Sequence, residues 1–214
     1  MTSNEQDALI IIDVLNDFCR NGALAVPNGE QVVSVINDLG NKFQTVVLTQ
    51  DWHPAGHASF ASSHNAEPFS TTTLHYGEQT LWPDHCIQGS NGAEFHSELY
   101  SNNASMIIRK GMHQHIDSYS AFFENDRTTP TGLDGFLQTM KIKRVFCVGL
   151  AFDFCVRYTA EDAVTQNFET IIIENACRSI DMDGSVADAM QSFSKNGITS
   201  VSYTHLTLPT KRIV

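Results

Sequence analysis

Arg144-Val-Phe-Cys-Val-Gly-Leu-Ala-Phe-Asp-Phe-Cys-Val-Arg-Tyr-Thr-Ala160 joins an apolar strand, a bend at Gly149 and the opening of a helix. The strand carries no polar alternation, so both of its faces must be covered. That is the signature of a strand inside a parallel sheet. Cys155 stands where the bend becomes helix. A helix N-terminus carries partial positive charge, which favours thiolate over thiol and predicts a lowered cysteine pKa. The plainer reading of Cys155 is a small core residue.

The same grammar repeats on either side. Ala8–Asp13, Thr45–Gln50, Ser105–Lys110, Arg144–Gly149, Thr170–Glu174 and Ile198–Ser202 read as short, mostly apolar strands. Gly29–Leu39, Leu133–Met140, Asp153–Gln166 and Gly184–Lys195 carry helical stripes between them. Strands alternating with helices predict a doubly wound α/β fold: a mainly parallel six-stranded sheet with helices on both faces. No repeat or linker divides the chain, so residues 1–214 read as a single domain.

Two segments depart from this alternation. Residues 51–103 are rich in His, Ser, Gly, Pro and Trp, with little periodicity. Loops of that length are usually functional, and Trp52, Phe60, Phe69, Tyr76, Trp82 and Phe95 all want burial. The tail from Val201, VSYTHLTLPTKRIV, does not continue the pattern and reads like translated sequencing-adapter sequence. Its last dozen or so residues are expected not to be native.

The formal net charge of −11 disfavours nucleic acid and anionic membranes as partners. The N-terminal MTSNEQDA lacks the basic and apolar regions of a signal peptide, and no apolar run reaches membrane-spanning length. Five cysteines, none in C-x-x-C, suit a reducing cytoplasm.

Ligands of open parallel sheets bind outside the carboxyl ends of the strands. Asp13, Asp51, Lys110 and Cys155 all fall at such ends, a convergence that favours a catalytic reading. Asp51 and His53 flank Trp52 and can face one ion, and His85 lies in Trp82-Pro-Asp-His-Cys86. Carboxylate plus imidazole suits zinc or iron with positions left open for water or substrate. His57 belongs to the same region. Cys86 is a ligand in principle, but adjacent residues rarely both face one ion, which favours its neighbour His85.

These residues resemble the nicotinamidase/pyrazinamidase family of the isochorismatase-like cysteine amidohydrolases. The resemblance runs from about Ala8 to about Ser200. It rests on IIIDVLNDFC around Asp13, TQDWHPAGHASF around Asp51 and His53, LWPDHC around His85, IIRKG around Lys110, DSYSAFF at Asp117–Phe123, and GLAFDFCV around Cys155. It implies the isochorismatase-like hydrolase fold and a catalytic triad of Asp13, Lys110 and Cys155. It implies one divalent metal on Asp51, His53 and His85, zinc first, with iron or manganese as alternatives. His57 is implied to approach that metal or bind through water, and Ser59 is a weaker candidate. Phe18, Trp82 and Tyr119 would wall a slot for a pyridine ring. A cis peptide before Ala151 would help aim the Ala151 and Cys155 amides as an oxyanion hole.

The implied reaction is hydrolysis of nicotinamide, and of pyrazinamide, to the acid and ammonia through a cysteine thioester, in NAD salvage. The substrate is the expected partner, with a homo-oligomer left open. Another small amide is the nearest rival substrate. A zinc-hydroxide hydrolase with a structural Cys155, and a non-enzymatic small-ligand sensor, are more distant rivals. One position departs from the family: Phe152 stands where a small hydroxyl residue, often Thr, is usual. Its ring either alters the pocket or packs outward.

Overall fold

Apolar strands with both faces covered need helices above and below, and the chain supplies them in order. The computed structural model describes residues 3–203. Its elements are β1 (Asp7–Ile12), α1 (Val32–Gly40), β2 (Thr45–Asp51), β3 (Thr71–Leu74), β4 (Gly77–Thr80), β5 (Met106–Lys110), α2 (Leu133–Thr139), β6 (Arg144–Leu150), α3 (Arg157–Thr165), β7 (Glu169–Arg178), α4 (Ser185–Asn196) and β8 (Thr199–Val201).

Six strands form one sheet in the order β5-β2-β1-β6-β7-β8. Every pairing in it is parallel. Alternate residues of each strand feed opposite faces, as strand geometry requires. Leu9, Ile11, Val46, Leu48, Phe146 and Val148 join α1 residues such as Val33 and Ile36 in one core. Ala8, Ile10, Val47, Val145 and Cys147 join Leu137, Ala160 and Phe193 from α2, α3 and α4 in the other. This is the doubly wound architecture read from the sequence.

The order reverses between β1 and β6. The chain winds outward through β2 and β5, then returns to β6 and winds the other way. At such a switch point the loops diverge and leave a crevice above the strand ends. Gly149 sits there with φ +116°, and a Cβ on it would lie 2.1 Å from the Ile12 carbonyl oxygen. Only glycine lets the two central strands approach this closely at the crevice.

Three local features differ from the sequence reading. The helix expected from Asp153 opens as a π-helical turn, Phe152–Val156, before α3. Such wide turns are frequent at functional sites. Strand β7 runs on to Arg178 because its register against β6 shifts at a bulge between Cys147 and Gly149. The loop region 51–103 contains an antiparallel hairpin, β3–β4, whose strands TTTL and GEQT lack the apolar alternation that marks a strand. The expectation of a foreign tail falls on residues 201–214, of which 204–214 lie outside the described residues. Among the described residues no helix is long and apolar enough to cross a membrane.

Candidate active site

Four strand ends meet in one place because parallel strands deliver their carboxyl ends to the same edge. β1 ends beside Asp13, β2 ends on Asp51, β5 ends on Lys110, and β6 runs through Ala151 into the turn holding Cys155. Lys110, fully buried, is the common neighbour. Its Nζ lies 2.9 Å from Asp13 Oδ2, 2.6 Å from Asp51 Oδ1 and 3.6 Å from Cys155 Sγ. It also donates to the Ser118 carbonyl at 2.9 Å. Burial pushes a lysine pKa down, but Asp13 and then Asp51 outweigh it and raise Lys110 well above its ordinary value. The ammonium is therefore permanently charged.

Asp13 is held in turn. Thr49 Oγ1 donates to Asp13 Oδ1 at 2.6 Å and accepts from the Asp13 N–H at 3.1 Å. Burial raises the Asp13 carboxyl, with Lys110 and Thr49 opposing it. A raised carboxyl beside a thiol suits proton exchange. Cys155 departs from its expected state. Burial raises its thiol well above the ordinary value, and the Asp13 and Asp51 charges reinforce this against Lys110. Two carboxylates oppose the field of the one lysine and of the helix terminus, so burial and their charge favour the thiol over the thiolate.

Beside this cluster, Asp51, His53 and His85 bring three ligand atoms within 4.8 Å of one another. His53 Nδ1 faces the Gly111 carbonyl at 3.0 Å, and His85 Nδ1 faces the Pro83 carbonyl at 2.7 Å. A carbonyl can only accept, so each Nδ1 carries the proton and each Nε2 keeps its lone pair. Those Nε2 atoms lie 3.4 and 3.7 Å from Asp51 Oδ2. His53 Nε2 is buried without a hydrogen-bond partner. An orphaned imidazole lone pair, a second one beside it and a carboxylate oxygen suit a divalent cation. Burial alone would raise Asp51, but the Lys110 ammonium holds it well below the usual carboxylate range. The donor set thus fits the metal that the resemblance implies.

His57, His53 and Asp117 form a second set of ligand atoms within 4.8 Å of one another, but both His57 nitrogens are engaged in hydrogen bonds. His57 Nε2 faces the His113 and Ile116 carbonyls at 2.9 and 3.1 Å, and its Nδ1 takes the Ser59 hydroxyl at 2.7 Å. Its ring stacks on His53 at 4.4 Å. His57 thus packs against His53, and Ser59 holds His57. Cys86 is buried next to His85 with its thiol pushed well up by burial, outside the ligand set.

Phe18, Trp82, Tyr119, Ala151 and Cys155 all line one narrow cleft, with Asp51 and His85 at its polar end. Leu24, Asp117, Phe154 and Ile180 complete the lining and were not read from the sequence. Phe154 sits one residue before Cys155 with its ring 5.0 Å from Trp82. Phe152 does not line the cleft. Its ring turns outward and meets Phe193 of α4 edge-on at 5.4 Å. The peptide Leu150–Ala151 is cis, as the resemblance implied.

This constellation defines an isochorismatase-type hydrolase site, and residues 7–204 match the Isochorismatase domain. The chain belongs to that family. It is 50% identical over 196 residues to a nicotinamidase of Acinetobacter baylyi, covering 91% of this chain and 92% of that protein. The solved structure of a nicotinamidase/pyrazinamidase of Acinetobacter baumanii superposes with a TM-score of 0.94 at 50% identity, over 95% of this chain and 99% of that one. A pyrazinamidase of Pyrococcus horikoshii solved in complex with zinc superposes with a TM-score of 0.76 at 31% identity, over 92% and 99% of the two chains.

Proposed function

We propose that the chain is a nicotinamidase that also accepts pyrazinamide, with Asp13, Lys110 and Cys155 as its catalytic residues. The observation that carries this reading is the placement of Lys110 Nζ between Asp13, Asp51 and Cys155. It couples a nucleophile with its base to a metal-binding carboxylate.

Asp13 takes the Cys155 proton as sulfur attacks the carboxamide carbon. Lys110 stabilises the charge that appears on sulfur. The oxyanion that forms on the amide oxygen is held by the Ala151 and Cys155 N–H groups, a contribution of about 3–4 kcal/mol per donor. Asp13 returns the proton to the leaving nitrogen, the C–N bond breaks, and ammonia departs. The acyl group remains on sulfur as a thioester. Water then attacks that carbon while Asp13 takes its proton. The C–S bond breaks, the thiol is re-formed, and the acid leaves.

Asp51, His53 and His85 would hold the divalent ion, and zinc is the reading that the zinc-bound relative supports. When bound, the ion is a Lewis acid for the ring nitrogen, which fixes the amide over Cys155. Phe18, Trp82 and Tyr119 wall the ring. Five cysteines without a disulfide suit a reducing cytoplasm.

The test is ammonia release from nicotinamide, run beside carbamoyl and ureido compounds. Wild-type protein should prefer nicotinamide, and preference for another amide would replace the substrate. Cys155→Ala should release no ammonia while keeping its metal. Substantial residual turnover would instead point to attack by a metal-bound hydroxide.

A further inference from the structure

The hairpin β3–β4, Thr71–Thr80, has no apolar face of its own, and an isolated two-stranded hairpin is marginal in water. Yet Gln79 within it is only 1% exposed. Its amide is committed on both ends. Nε2 donates to Asp117 Oδ2 at 2.7 Å and reaches the Tyr119 hydroxyl at 3.1 Å, with the Thr80 carbonyl at 2.7 Å. Oε1 accepts from the Tyr76 hydroxyl at 2.9 Å and from Asn125 Nδ2 at 3.3 Å. The Tyr119 hydroxyl also accepts from Trp82 Nε1 at 3.1 Å.

Asp117, Tyr119 and Trp82 line the cleft, but Gln79 stands behind them. The Tyr119, Trp82 and Phe154 rings meet edge-on, with centroids 5.0 to 6.2 Å apart. Edge contacts of this kind transmit a tilt of one ring to the next. The wall facing the substrate ring is therefore aimed from outside the cleft, by one amide.

We propose that Gln79 is a positioning residue that sets the ring slot, holding Tyr119 and Asp117 in the orientation that binds the substrate ring. This rests on the nicotinamidase reading of the site. Gln79 touches neither Cys155 nor Asp51, His53 and His85, so its loss should weaken ring binding in ground and transition states alike. That signature is a raised KM with kcat nearly kept.

Gln79→Leu should raise KM for nicotinamide about tenfold, with kcat within about threefold and metal content unchanged. Gln79→Glu keeps the shape and both acceptor contacts but places a carboxylate against Asp117 Oδ2, so KM should rise at least as far. In Gln79→Glu/Asp117→Asn the amide and carboxylate trade places and the bond is restored. KM should then fall well below the value that the two single variants predict together. If wild-type protein releases no ammonia from nicotinamide, the functional reading fails and this inference with it. Were wild type active and KM in both folded Gln79 variants within about twofold of it, only this inference would fail. Additive effects in the Gln79–Asp117 cycle, or loss of the fold in both Gln79 variants, would make Gln79 a plain anchor of the hairpin and also overturn it.

Discussion

Lys110 shows how one side chain can serve two centres. Three neighbours share it, and two of them are carboxylates that burial would otherwise drive toward the neutral form. Thr49 trims the same balance from behind Asp13. Thr49→Val should raise the Asp13 pKa further, because it removes one of the contacts that lower it. Asp13 must be ionised to take the thiol proton, so activity is lost as pH falls through its pKa. The acid limb of kcat/KM against pH should therefore move to higher pH, with kcat/KM near neutrality down about tenfold. An unmoved limb would assign it to another group. His57 makes the opposite kind of test. As a brace rather than a ligand, His57→Gln should keep one metal per chain at an affinity about 10–100-fold lower. Loss of stoichiometric metal in a titration would make His57 a ligand.

Asp13, Lys110 and Cys155 were legible as residues because each is a reactive group at the end of an apolar run. Thr49 was not, since a hydroxyl within a strand carries no chemistry until its neighbour is known. Asp117 and Phe154 fall inside DSYSAFF and GLAFDFCV, but only the folded cleft shows that they line it.

At the scale of elements, β5 must be followed by a glycine. Gly111 has φ +64°, and a Cβ on it would lie 2.4 Å from His53 Cε1. Its carbonyl holds His53 Nδ1, and its N–H donates to Glu124 Oε2 at 3.3 Å. Gly111→Ala would drive a methyl group into the imidazole as well as strain the backbone. The protein should fold but lose most of its metal, measured by atomic absorption after dialysis. Retention of full metal would show that the loop can shift without moving His53. The strands and helices around this corner were readable from periodicity. The β3–β4 hairpin was not, because polar four-residue strands look like loop. It is held by Gln79 and its partners rather than by an apolar face.

For the whole molecule, the doubly wound order gathers four polar strand ends onto one crevice, so metal binding should be felt by the entire fold. His53 Nε2 is buried without a hydrogen-bond partner beside Asp51 Oδ2, and a cation there would satisfy both. At free metal about a hundredfold above its dissociation constant, binding to the folded state alone adds about 2.7 kcal/mol. Chelation should then lower the thermal midpoint by roughly 5–10 °C. The same midpoint with and without chelator would mean that the site does not select the folded state.

By itself the sequence determined the strands, the helices and their parallel winding, because periodicity and residue type are local properties. It also singled out Asp13, Asp51, Lys110 and Cys155 at strand ends and the Asp51/His53/His85 motif, to which the family resemblance attached roles. Only the tertiary structure decided the rest. It turned Phe152 onto α4, engaged both His57 nitrogens in hydrogen bonds, buried the Cys155 thiol beside two carboxylates and set Gln79 behind the cleft. Each of those outcomes depends on which groups from distant segments come within a few ångströms. Burial, orientation and electrostatic balance are properties of that assembly, and no single stretch of chain contains them.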